Sequence, residues 1–102
     1  MDEARAMNTE WIFQSGTQGV HVLFDTEMIQ RAFSQDVDHL LDIVEERLEE
    51  VHEMVYHLLE QPSVRLGRDF IESLPTEMRH VMVLLYFEVI EGRIRKQDHL
   101  LH

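Results

Sequence analysis

A chain of 102 residues with 44% apolar and 28% charged side chains has the material for one folded domain and lies outside the composition of disordered chains. It has no cysteine, which excludes disulfides, thiolate metal sites and a cysteine nucleophile. Twenty acidic side chains against nine basic ones give a net charge of −11, which repels phosphate backbones and anionic lipid and disfavours nucleic-acid and membrane partners.

Residues 1–9 are polar and read as a flexible start. Trp11-Ile12-Phe13 and Val20-His21-Val22-Leu23-Phe24 are β-favouring runs on either side of Ser15-Gly16-Thr17-Gln18-Gly19. Residues 10–24 therefore read as a short N-terminal β-hairpin, with Val20, Val22 and Phe24 on one face and His21 and Leu23 on the other. A lone hairpin is barely stable in water. This one is expected to lie on helices, pair with a second copy or accept a partner strand.

Asp25 is placed to cap a long helix over residues 25–60, and Glu27 suits the positive end of its dipole. Along it Val37, Leu41, Val44, Leu48, Val51, Val55 and Leu58 recur at spacings that alternate between four and three. That is the repeat of a helix that keeps one face against another, as in a coiled coil. About 35 residues at about 1.5 Å each give roughly 52 Å, more than the rest of one chain covers, which predicts a dimer element. Pro62 ends the helix at Gln61. Ser63 then opens a short helix over 63–74, with Leu66, Phe70, Ile71 and Leu74 inward and Gly67 weakening its middle.

Pro75 suits the first turn of a second long helix over 75–97. Its centre, Val81-Met82-Val83-Leu84-Leu85-Tyr86-Phe87, is apolar on every side. Such a helix is buried all round, so one face is expected on the first long helix and another on a second subunit. Arg93, Arg95 and Lys96 complement its carbonyl end, and residues 98–102 read as a tail. The expected fold is a single domain over 1–102, mainly α: two long helices in a dimeric helical bundle, with the hairpin at the start.

Histidine spacing decides the metal question. His52 and His57 are five apart, about 140° around a helix, so they cannot share a metal as the four-apart pair of zinc proteases does. Glu49 with His52 and Glu77 with His80 have the i, i+3 spacing of di-iron bundles. In the heptad frame, however, the first pair faces solvent, and the second sits in the opening turns of its helix. His99 and His102 are terminal. The run Glu45, Glu46, Glu49, Glu50 and Glu53 reads as a solvated outer face or a dock for basic side chains. No nucleophile elbow, phosphate loop or dinucleotide fingerprint is present. No catalytic residue, cofactor or metal ligand is assigned, and the chain is not expected to be an enzyme.

The remaining reading is a non-enzymatic protein-binding regulator. We expect a small acidic homodimer that sequesters or inhibits a partner protein such as a transcription regulator, in the manner of an antiactivator. The alternatives are a structural, assembly or chaperone-adaptor homodimer and, behind these, a metal-binding helical bundle. The expected dimer or partner interface is Val37, Leu41, Val44, Leu48, Val51, Val55 and Leu58 with Tyr56, Phe70, Val83, Tyr86 and Phe87; large aromatic side chains are the usual anchors of such contacts. No stretch reaches the roughly 18 apolar residues of a membrane span, and MDEARAMNTE lacks the order of a secretory signal, so a cytoplasmic location is expected.

Overall fold

Short polar side chains set most of the helix starts in this chain. The computed structural model describes the backbone of residues 6–101 and the side chains of residues 6–96. The described residues form six helices: α1 (Thr9–Thr17), α2 (Thr26–Phe33), α3 (Val37–Glu46), α4 (Leu48–Leu59), α5 (Val64–Ser73) and α6 (Thr76–Leu101). Asn8, Asp25, Asp36 and Ser63 each accept a hydrogen bond from a backbone amide two or three residues on, satisfying donors that the first helical turn leaves free.

The expected N-terminal hairpin is not formed. Trp11-Ile12-Phe13 lies inside α1, held by the Asn8 cap. The two glycines read as a hairpin turn do different work. Gly19, at φ +88°, ends α1 in a left-handed residue, with its amide donating to the Gly16 carbonyl and the Val20 amide to the Ser15 carbonyl. This is the Schellman closure of a helix. Gly16 lets α6 approach, since a Cβ there would stand 2.2 Å from Ile90 Cδ1 and 2.5 Å from the Tyr86 hydroxyl. After α1, Val22, Leu23 and Phe24 are all buried in succession. A strand would have alternated them, so the segment is a bent strap into the core rather than half a sheet.

The single helix expected over 25–60 is three helices. Ser34 and Gln35 turn their side chains back onto the carbonyls of Gln30 and Arg31, which closes α2. Asp36 then caps α3. The second break is at Arg47 (φ −124°, ψ 37°), whose guanidinium forks onto Glu50. Unbroken, that helix would have exceeded the longest extent of the molecule, 38 Å. Broken, its pieces wrap the final helix instead.

That final helix is the hub. At 26 residues, α6 is long enough to run nearly the full length of the molecule, and it packs against α1, α2, α3 and α5, most extensively against α2. Met78, Val81, Met82, Val83 and Tyr86 are buried, as is Ile90 one turn beyond. The helix is thus covered on several sides by its own chain, where the sequence pattern pointed to a second subunit for part of that cover. Its backbone stays helical through residues read as a tail, up to Leu101. The radius of gyration, 13.8 Å, is close to the roughly 13 Å of a compact chain this long.

Candidate functional site

Helix α4 packs on its neighbours α3 and α5 but makes at most sparse contact with α6. The space left between them is an apolar trough in two lobes. The inner lobe, about 140 Å³, is floored by Leu58, Met82 and Tyr86 and closed at one end by Ile12 and Phe13 of α1. The outer lobe, about 440 Å³, runs along Val44, Leu48, Val51 and Tyr56, with His52 as a polar wall residue. Val55, Leu59 and Leu85 line both lobes, so the two adjoin.

Two polar fastenings hold α1 and the strap against α6 beside this trough. Arg93 donates to both carboxylate oxygens of Glu10, at 3.1 and 2.7 Å, and its guanidinium carbon lies 5.2 Å from the centre of the Phe13 ring. The Arg93 guanidinium holds the Glu10 carboxyl below its ordinary range, chiefly through that hydrogen bond. On the other side, His21 Nδ1 and the Tyr86 hydroxyl share a hydrogen bond of 2.8 Å. The His21 ring stands edge-on to Tyr86 and 4.9 Å from Phe87. Burial pushes the Tyr86 hydroxyl up to about 12 and lowers His21, so both stay uncharged at neutral pH. The pair fastens the strap to α6.

The residues expected at an interface divide three ways. Val37, Leu41, Leu48 and Tyr56 are exposed, at 45%, 44%, 47% and 67%. Val44, Val55, Phe70 and Phe87 are half-buried, and Val51, Leu58, Val83 and Tyr86 are inside the core. The break at Arg47 divides the heptad seam between α3 and α4, and part of it faces inward and part outward. The outward part continues the trough: Val37, Leu41, Val44, Leu48, Val55 and Leu59 form a stripe along α3 and α4. Glu45 and Glu49 are exposed one 100° step around the helix from Val44 and Leu48.

Of the metal-like spacings, Glu77 and His80 diverge. Glu77 bonds His39 at 2.8 Å, while the charges bearing on buried His80 are Arg79 and Arg31. Glu49 and His52 are exposed. Among the described residues no three His, Asp or Glu side chains are grouped to hold a metal ion, and no helix is long and apolar enough to cross a membrane. The side chains of His99 and His102 lie outside the described residues. Reading the sequence as a hairpin missed His21 and Gly16, whose roles exist only once α1 is a helix lying on α6. Leu59, Leu85 and Val89 were missed too. Leu59 follows Leu48 by eleven and Val55 by four residues, which puts it on the α4 stripe and was a usable signal.

In comparison with known proteins, the chain matches no family model, no curated protein and no solved structure. The fold and the trough together define its class: a mainly α-helical protein with an open apolar trough beside an acidic helix face.

Proposed function

We propose that this protein is a non-enzymatic regulator that works by holding another polypeptide in the α4–α6 trough, as an antiactivator-like homodimer that sequesters a partner such as a transcription regulator. One observation carries the reading. The trough's two lobes adjoin, are lined mainly by aliphatic and aromatic side chains, and lie beside an exposed apolar stripe that the chain leaves uncovered. An amphipathic helix laid into such a groove buries its own apolar face there, with anchors at helical spacing. Exposed Glu45, Glu49 and Glu53 beside the stripe favour a partner segment with basic flanks.

The second reading is an assembly homodimer in which another copy covers the stripe. The continuation of exposed apolar residues onto α3, at Val37 and Leu41, favours it. A photo-crosslinking residue at Leu59, used in native extract and read by mass spectrometry, tests both. Capture of one distinct protein supports the regulator, and capture of the chain alone supports assembly. A monomer by ultracentrifugation that captures neither refutes both.

A further inference from the structure

A second crevice, away from the trough, is built from a different chemistry. It opens where the last turn of α2 meets the first turns of α6, has a volume of about 270 Å³ and is lined by Met28, Arg31, Gln35, Thr76, Arg79 and His80. On α6, Thr76, Arg79 and His80 stand at i, i+3 and i+4, one above another on a single helix face. Two guanidinium groups, an imidazole, a hydroxyl and an amide thus converge, and no carboxylate lines the space. In a chain of net charge −11 this local inversion of sign is unusual.

One buried donor is also left without a partner. Arg79 Nε is buried without a hydrogen bond, although the same guanidinium donates to Thr76 Oγ1 at 3.0 Å. His80 is only 7% exposed, and among the described residues its ring has no hydrogen-bond partner. Buried polar groups in folded chains are normally satisfied, so the orphaned Arg79 Nε beside the His80 ring points to something that is bound there. The crevice also lies at the amino-terminal end of a 26-residue helix, whose dipole favours negative charge. Arg31 holds Glu27 one turn back on α2, in a pair exposed by 68% and 70%. That carboxylate is the internal competitor an incoming anion would have to displace or share.

We propose that this crevice binds a phosphate group, either inorganic phosphate or the phosphoryl end of a small ester. The space is smaller than the pockets that take drug-sized ligands, so it suits a compact anion. Planar guanidinium forks match the oxygens of a phosphate two at a time, and a tetrahedral dianion presents oxygens to α2 and α6 together, where a planar carboxylate does not. The general repulsion of a chain this acidic suppresses loose anion binding, which leaves the crevice as the place where saturable binding is seen.

The test is an amide chemical-shift titration of the full chain at neutral pH with four probes: inorganic phosphate, O-phosphoserine, sulfate and acetate. Saturable shifts centred on Arg31, Thr76, Arg79 and His80 are expected with phosphate, phosphoserine or both, and which of the two binds identifies free or esterified phosphate as the ligand. Sulfate, also a tetrahedral dianion, should follow phosphate. Arg79→Gln should weaken phosphate binding by about tenfold or more, as for loss of one charge-assisted contact. Because Arg79 is partly buried, two exposed variants keep the test independent of folding. Arg31→Gln should weaken binding, and Glu27→Gln should tighten it several-fold by removing the competitor. No saturable shift with either phosphate probe, acetate binding as tightly as phosphate, or indifference to both Arg31→Gln and Glu27→Gln overturns the assignment.

Discussion

Replacing Gly16 by alanine is the sharpest probe of how α1 is seated. In an exposed helix the change would stabilise by about 1 kcal/mol, because glycine is the poorer helix former. Here the new Cβ would stand 2.2 Å from Ile90 Cδ1 and 2.5 Å from the Tyr86 hydroxyl. Ile90 Cδ1 ends a flexible side chain and can move at the cost of a rotamer. Tyr86 has less freedom, since its hydroxyl is bonded to His21 and its ring is hemmed in by Phe13, Phe24 and Phe87. Overpacking of this kind costs about 1–3 kcal/mol, and its upper half outweighs the helix gain, leaving a net loss of about 1–2 kcal/mol. For a chain of this size that lowers the melting temperature by about 4–8 °C per kcal/mol. The cycle with Ile90→Val isolates Ile90's share of the clash, because valine lacks Cδ1 while the Tyr86 hydroxyl stays in place. Alone, Ile90→Val should cost about 0.5–1.5 kcal/mol. With Gly16→Ala already present it should cost less than that, so the two losses fall short of additive. Urea unfolding of the four chains measures this. Additive losses, or a Gly16→Ala chain as stable as the parent, would refute the close packing of α1 on α6.

Three further outcomes are expected. Leu59→Asp and Leu48→Asp, at positions 41% and 47% exposed, should change monomer stability by less than about 0.5 kcal/mol yet abolish capture of the trough's occupant, as read by crosslinking. Gly19→Ala should cost about 1 kcal/mol in urea unfolding although nothing lies near its Cβ, because φ +88° strains any side-chain-bearing residue. The pH dependence has a definite sign. Burial lowers the pKa of His21, and burial together with Arg79 and Arg31 lowers that of His80, so the unfolded chain binds more protons. Their contribution is complete above the ordinary histidine value and is lost as pH falls through the lowered folded values. Melting temperature should therefore be lower near pH 5.5 than near pH 7.5, and a flat profile counts against their burial. His39 behaves oppositely: its bond to Glu77 raises its pKa, so that pairing is complete below about 6.5 and is lost as pH rises through the raised value. An NMR titration of His39 should move back towards the ordinary value in Glu77→Gln.

Much of the helical character was legible along the chain, and where it was, local physics was responsible. Asp25 and Ser63 cap because their side chains reach amides three residues on, and Pro62 stops a helix through its own ring, whatever the rest of the molecule does. The apolar centre of α6 announced a buried helix from composition alone. Arg79 and His80 were visible as residues, but not as parts of one crevice with Arg31, which is 48 positions away from Arg79. Only the tertiary structure decided what Trp11-Ile12-Phe13 would become, since aromatic and β-branched residues suit a strand or a helix until something covers them, and here α6 does. It also decided that the helix expected over 25–60 would be cut at 34–36, ahead of the heptad repeat, and at Arg47, inside it. A 3.5-residue period records that one face is apolar, not what the face meets, and a chain able to fold its pieces around α6 buries half of that face itself and leaves the other half open.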